Sequence, residues 1–376
     1  MIIPTYEQAK QYEKDYTYIP VCREILADDV TPILMLRKLA ALDGQYFLLE
    51  SVEGGNLGRY SFLGYHPKLS VSCKNGVVKV KENGMVRILP GKPKEALQSL
   101  LKQYRSPQIE GLPTFTGGLV GYFAYETIQY AEPKLHIKQS DVNDFELMMF
   151  DKLLAFDQVM HKLCIIVNAR TADGEAGYNK AVEEIDAFIE TLRITEPIPY
   201  EKPQKAPEFT CNLSKEEYCS MVEKTKHYIK EGDIFQGVIS RRFEADYEGS
   251  LLNAYRVLRT TNPSPYMYYM QIKDMQIAGT SPETMVKLTN GKLMTFPVAG
   301  TRQRGKSIEE DQALEKELLA DEKECAEHNM LVDLARNDLG RIAEYGSVKV
   351  ADYMAIHRFS KVMHIASTVV GELAKG

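Results

Sequence analysis

Residues 69–89 read LSVSCKNGVVKVKENGMVRIL, and this run decides the fold class. It is punctuated by two Asn-Gly pairs, Asn75-Gly76 and Asn83-Gly84. Asn and Gly accept the positive φ that two-residue turns between antiparallel strands demand. The pattern therefore predicts three strands, near 69–74, 77–82 and 85–89, folded as a meander. Working outward, the segments 45–51, 145–150, 152–157 and 162–168 predict further antiparallel sheet, and Asn290-Gly291 marks another hairpin. Helices are expected over 5–16, 31–42, 93–104, 175–193, 214–231 and 250–260, the fifth opened by a Ser214/Glu217 capping box. Strands are expected over 234–243, 276–280, 346–355 and 359–370. Helices and hairpins mix without a regular βαβ alternation, so the expected class is α+β, with mixed antiparallel sheets and packed helices. Between Thr195 and Glu208 stand Pro197, Pro199, Pro203 and Pro207. Proline fixes φ and pushes its predecessor toward extended geometry, which reads as a linker. The expected division is a domain over 1–200 and a second over 201–376.

A chain of 376 residues is long enough for two domains with full cores. Its 44% hydrophobic and 26% charged content is ordinary for a globular protein. The net charge is −6, and no basic block or Lys/Arg stripe interleaved with aromatics occurs, which argues against nucleic acid as a partner. No apolar run approaches the roughly 18 residues of a membrane span. The opening MIIPTYEQAK lacks a charged-then-apolar export pattern, so a cytoplasmic protein is expected. Six scattered cysteines with no CxxC pair read as reduced thiols.

The chemistry concentrates in DEKECAEHNMLVDLARNDLGR, residues 321–341. The run predicts one long helix that begins in the acidic stretch Glu309, Glu310 and Asp311. Glu324 and Glu327 lie three apart and so leave one helix face, with Asp321 a turn earlier and His328 beside them. Carboxylates gathered this way repel one another unless a cation joins them. Hard oxygen donors in small number suit Mg²⁺, although the same pattern also describes a solvated acidic face. GxSxG, P-loop and HExxH motifs are absent, as is a GxGxxG opening a helix after a strand. What remains is Glu283 after a Ser-Pro turn, His364 in an apolar strand, and Gly300-Thr301-Arg302. Mg²⁺ and an Arg would hold carboxylates, and a Glu would serve as the acid for a leaving hydroxyl.

These stretches resemble the chorismate-utilising enzymes, most closely the large subunits of anthranilate synthases. The resemblance is carried by GDIFQGVISRRF (232–243), NPSPYMYY (262–269), GTSPE (279–283), FPVAGTR (296–302), LLADEKECAEHNMLVDLARNDLGR (318–341) and RFSKVMHIAS (358–367). LLES (48–51) and RYSFLG (59–64) add to it. It implies conversion of chorismate and ammonia to anthranilate and pyruvate, with Mg²⁺ on the ring carboxylate of chorismate. By motif, Glu327 would be a direct Mg²⁺ ligand and Glu324 would assist. Glu283 would protonate the departing C4 hydroxyl, His364 would lie against substrate, and Gly300 and Thr301 would contact it. Isochorismate and salicylate synthases use a lysine to activate water at the position of Gln236. Aminodeoxychorismate synthases commonly carry a nucleophilic lysine at the position of Ala299. Neither amine is present here.

The resemblance extends to a tryptophan-inhibitor site. Glu50 would pair with the ligand's ammonium, Ser51 would hydrogen-bond it, Pro265, Tyr266 and Met267 would line it, and Arg59 would sit near a basic contact. Ammonia would come from glutamine through a separate amidotransferase subunit, since no glutaminase nucleophile is evident. Relatives continue through an AGTxSGAPK segment, glycine-rich substrate loops and a second Glu ligand. The chain ends at Gly376, so a shortened member with an incomplete core and an exposed sheet edge is expected. Two alternatives stay open: a tryptophan-binding or partner-binding module without turnover, and an aminodeoxychorismate synthase.

Overall fold

The computed structural model describes residues 2–51, 58–138, 140–201, 206–358 and 361–375. Pro203 of the linker, and Phe359 and Ser360 of the last strand motif, lie outside the described residues.

The meander is built as the Asn-Gly pairs require. Asn75 and Gly76 have φ of 51° and 79°, Asn83 and Gly84 49° and 79°, and Asn290 and Gly291 51° and 80°. Leu69–Lys74, Val77–Glu82 and Met85–Leu89 pair in order, and Phe145–Phe150 and Gly118–Phe123 extend them into a five-stranded antiparallel sheet. Val78 and Val80 face its core while Lys79 and Lys81 face out, the period-two alternation of a half-buried strand. Gly121 in this sheet allows a close approach: a Cβ there would lie 2.0 Å from the Glu146 carbonyl oxygen.

The main core lies under an eight-stranded antiparallel sheet. Its strands run Ile2–Ile3, Tyr18–Leu26, Lys162–Arg170, Lys152–Asp157, Tyr60–Tyr65, Tyr46–Glu50, Tyr266–Ile272 and Met275–Ser281. The helices Pro32–Leu42, Gly174–Ile194 and Leu252–Thr261 pack their apolar stripes against it, burying Leu36, Leu39, Ile185 and Tyr255 with Leu48, Leu63 and Tyr269. Thr31 caps the first of these helices by accepting from the Leu34 N–H, and Pro32 occupies its first turn. The last two strands follow residue 200, yet they complete a sheet that earlier strands began. Met267 stands opposite Glu50 in that ladder.

A third sheet comprises Lys287–Thr289, Lys292–Thr295, Val362–Glu372 and Val298–Gln303, with Lys349–Arg358 also paired to Val362–Glu372. Two helices pack on it, and here the structure corrects the expectation of one long helix. Ile308–Ala320 stops, Asp321 takes an extended conformation, and Glu322–Gly340 begins. The Asp321 carboxylate accepts from the Lys323 and Glu324 N–H groups, so it caps the second helix instead of continuing the first. The strand expected over 234–243 also reduces, to Phe243–Glu244 paired with Thr210–Cys211. Phe235 and Val238 are each 88% exposed, so the described chain offers this stretch no apolar face to pair on. The first helix covers Tyr6–Lys10 alone.

The buried Asp311 anchors the Ile308–Ala320 helix. It accepts from Arg304 Nε at 2.9 Å and from the Gly305 N–H at 2.8 Å, and Arg358 lies 3.4 Å away. Arg304 above all, then the Gly305 N–H, holds its carboxyl down at about 2. A carboxylate with a depressed folded-state pKa adds stability that is present above its ordinary value near about 4 and lost as pH falls to the folded value. Thermal melts between pH 5 and pH 2 should therefore show a steeper acid loss for the parent than for Asp311→Asn. Parallel curves for the two proteins would contradict this assignment.

Candidate functional site

Gly300 turns the chain in the strand Val298–Gln303. Its φ of +64° goes with a register shift between Ala299 and Thr301 against Val362–Glu372. The bulge sets Thr301 opposite His364. His364 Nδ1 lies 3.1 Å from the Gly300 carbonyl oxygen and 3.0 Å from Thr301 Oγ1. A carbonyl oxygen only accepts, so in that bond Nδ1 carries the proton, which fixes the ring's orientation.

Glu324 comes to this bulge from the Glu322–Gly340 helix. A Cβ added at Gly300 would lie 3.3 Å from Glu324 Oε2 and 3.2 Å from both Ile365 Cδ1 and Leu318 Cδ1. A larger residue at 300 would thus combine strained left-handed backbone with crowding against a carboxylate. Gly300→Ala should cost about 1–2 kcal/mol in urea-induced unfolding and reduce activity further by displacing Glu324. Unchanged stability would show that the bulge relaxes freely.

One helical turn on, Glu327 Oε1 accepts from Gln236 Nε2 at 3.4 Å. The other two members of the acidic pattern have different work. Asp321 caps the helix and pairs with Arg302 Nη2 at 2.8 Å, and the Glu324 N–H, then Arg302, lowers its pKa. His328 is fully buried, its Nε2 lies 2.6 Å from Ser367 Oγ, and burial pushes its pKa down, so it points into the core as a neutral ring. Among the described residues no three His, Cys, Asp or Glu side chains converge as a metal cluster. Glu324 and Glu327 remain as two partly buried carboxylates on one helix face, with Arg302 Nη1 4.0 Å from Glu324. That donor set fits Mg²⁺, which takes one or two carboxylates and fills its other positions with water and substrate oxygens.

Glu283 stands apart from this group. It is exposed, just past the strand Met275–Ser281, in the link between the large sheet and the third sheet. Its backbone N–H donates to Ser281 Oγ at 3.3 Å. No hydrogen bond or ion pair joins its carboxylate to Glu324, Glu327 or His364 among the described residues.

A cavity of about 660 Å³ opens between the large sheet and the meander sheet. Leu49, Glu50, Ser51, Pro265 and Tyr266 line it, with an aromatic wall that includes Phe62, Phe115, Tyr122 and Tyr268. Ser51 Oγ is buried there without a hydrogen-bond partner among the described residues, and the buried Tyr122 Oη has the Asn143 backbone N–H for a neighbour. A buried polar group without a partner favours a ligand that supplies the missing one. Met267 faces the other way. Side chains alternate along Tyr266–Ile272, so Tyr266, Tyr268 and Met270 reach the cavity while Met267 and Tyr269 enter the main core. Arg59 pairs with Asp157 at 2.7 Å and is absent from the lining.

The sequence did not reveal what holds Glu50. Its carboxylate accepts from Arg259 Nε at 2.7 Å, from Arg259 Nη2 at 2.8 Å and from Tyr255 Oη at 2.8 Å. The fork of two bonds is the strong form of an arginine–carboxylate pair. Tyr255 and Arg259 lie four apart on Leu252–Thr261 and share a face, the signal that could have paired them with a buried acid.

A model of the chorismate binding enzyme family matches residues 45–376. Anthranilate synthase component 1 of Acetivibrio thermocellus is 41% identical over 385 residues, covering 99% of this chain and 78% of the relative. The protein of the same description in Aquifex aeolicus is 39% identical, covering 98% of this chain and 76% of the relative. Among solved structures, anthranilate synthase component I of Streptococcus pneumoniae superposes with a TM-score of 0.74 at 34% identity, over 93% of this chain and 76% of that one. The menaquinone-specific isochorismate synthase of Escherichia coli shares the fold, with a TM-score of 0.60 at 16% identity over 98% of this chain and 75% of that one.

Proposed function

The chain belongs to the chorismate-binding enzymes, among the anthranilate synthase component 1 proteins, and from that footing we propose how its residues divide the reaction. The substrate is chorismate, the nitrogen donor is ammonia, and the products are anthranilate and pyruvate. One observation carries the reading. Gly300, Thr301, His364, Glu324 and Glu327 come together where the strand Val298–Gln303 meets the Glu322–Gly340 helix, and the neighbouring positions 236 and 299 carry no amine. Gln236 is an amide that donates to Glu327, and Ala299 is a buried methyl group. Neither side chain can act as a base for water or attack the ring, so a free nucleophile is left to do so.

Glu324 and Glu327 would hold Mg²⁺, which when bound supplies positive charge for the ring carboxylate of the substrate. The Gly300 backbone and the Thr301 hydroxyl present polar contacts beside it. His364 is held by the Gly300 carbonyl and offers an oriented ring against the substrate. Glu283 gives its proton to the C4 hydroxyl as that bond breaks, because hydroxide itself is a poor leaving group near neutral pH. The cavity beside Ser51 takes tryptophan as inhibitor. Ser51 and Tyr122 supply hydrogen bonds, and the aromatic wall supplies the indole surface. Residues 1–200 with the strands at 266–281 carry that cavity, and the rest of 201–376 carries the substrate site. Ammonia reaches the site from glutamine through a separate amidotransferase subunit, in the cytoplasm; among the described residues no helix is long and apolar enough to cross a membrane.

A second reading has its own support. The helix Lys215–Glu231 buries no residue, and Phe235 and Val238 lie exposed beyond it. That surface suits a partner-binding module. The test is mass analysis of the products formed from chorismate, Mg²⁺ and ¹⁵N-ammonium. Labelled anthranilate with pyruvate supports the lyase. An amino product that keeps its enolpyruvyl group supports aminodeoxychorismate synthesis, and tryptophan binding without any product supports the module.

A further inference from the structure

We propose that the hydrogen bond between Tyr266 and Thr284 couples the cavity to Glu283, making Thr284 a positioning residue for the acid. The proposal rests on the roles given above to the cavity and to Glu283. The Tyr266 ring lines the cavity, and its hydroxyl oxygen lies 2.5 Å from Thr284 Oγ1. Thr284 directly follows Glu283 in the chain. The other side of Glu283 is tethered through Ser281, which stands opposite Tyr266 in the strand ladder. Ser281 Oγ accepts from the Glu283 N–H at 3.3 Å and donates to the Glu283 carbonyl at 3.2 Å. Glu283 is thus bracketed by two contacts that both originate at one rung of the ladder, on the rim of the cavity.

Among the described residues one further bond holds this stretch beyond Glu283: Thr295 Oγ1 donates to the Met285 carbonyl at 3.0 Å. None of residues 282–286 is buried, and Met285 is 83% exposed. The backbone before Tyr266 is firmer: Ser264 Oγ donates to the Tyr266 carbonyl at 3.0 Å, and Asn262 Nδ2 donates to Thr280 Oγ1 at 3.1 Å. A planar aromatic ligand filling the cavity must pack against the Tyr266 ring. Any rotation of that ring stretches or redirects the bond to Thr284, and the exposed turn bearing Glu283 follows. The coupling is reciprocal, so whatever fixes Glu283 also changes the affinity of the cavity for its ligand.

The chain contains no tryptophan, so under excitation that spares its tyrosines a shift in the emission of added L-tryptophan reports binding. Hydrogen–deuterium exchange over 281–287 reports the turn, whether or not the chain turns over substrate. In the parent, saturating L-tryptophan should change exchange over 281–287 by about three- to tenfold. Thr284→Val should bind L-tryptophan within about threefold of the parent and lose that change. Tyr266→Phe should lose it too, and Thr284→Ser, which keeps the hydroxyl, should retain it. The double variant Thr284→Val/Tyr266→Phe should be no worse than either single one, because both remove the same bond. A response over 281–287 that persists in Thr284→Val and Tyr266→Phe overturns the coupling. Failure of L-tryptophan to bind the parent overturns the assignment of the cavity, and the coupling with it.

Discussion

Glu283→Gln is expected to lower the rate of anthranilate formation by about 10²–10⁴-fold, the range over which a positioned general acid contributes. The amide keeps the size of the side chain and its exposure and removes only the transferable proton. Its backbone tethers to Ser281 do not involve the carboxylate, so the turn should stay in place. The loss should fall on kcat rather than on KM, since the proposed role has the carboxyl act as the C4–oxygen bond breaks and not in gripping the substrate. A Gln variant within about threefold of the parent would remove Glu283 from the chemistry and leave proton delivery to another group.

Arg259→Met should be the most destabilising single change in the region of the cavity. The Glu50 side chain is 1% exposed, and Arg259 supplies two of the three bonds to its carboxylate. Removing the guanidinium strands a buried negative charge, which costs about 3–5 kcal/mol when one partner of such a pair is lost. Tyr255 can still donate one hydrogen bond, which does not neutralise the charge. Replacing both partners tests the cause. Arg259→Met combined with Glu50→Gln should recover much of the loss, because no unpaired charge remains. Urea unfolding of the four proteins in the cycle measures this directly. An Arg259→Met midpoint indistinguishable from the parent would mean that water reaches Glu50. A double variant as unstable as the single one would mean that packing, not charge, is the cause.

The arrangement of the three larger sheets among the described residues was legible to the degree that its signals were local. The turn at Asn75-Gly76 needs only its own two residues, so the meander could be placed to the residue. Asp321 is a different case. In the sequence it is one acid among many on a helical pattern, and in the fold it is held at the cap by Arg302, which reaches it from the strand Val298–Gln303. The stretch 234–243 has strand composition, but a strand needs a neighbour and composition cannot supply one.

At the cavity, the run Pro265-Tyr266-Met267 held its own correction. Successive residues of a strand point to opposite faces, so Tyr266 and Met267 could not both turn toward one ligand. The four-residue spacing of Tyr255 and Arg259 signals a shared face, but which acid they meet is not local, since Glu50 lies 209 residues away in the chain. The Glu324 and Glu327 pair was readable from helical spacing, but the approach of Glu324 to Gly300 required the bulge in the opposing strand. Relations within one element were visible in the sequence, and relations between elements required the fold.

As proposed, this chain directs chorismate to anthranilate and L-tryptophan in the Ser51 cavity restrains it. Continuous fluorescence of anthranilate, with the 376-residue chain, chorismate, Mg²⁺ and ammonium, tests both halves in one cuvette. A fluorescence rise that requires ammonium, fails without Mg²⁺, and is suppressed by L-tryptophan is the expected result. Consumption of chorismate with no anthranilate would contradict the proposed lyase, and anthranilate formation indifferent to L-tryptophan would contradict the role of the cavity.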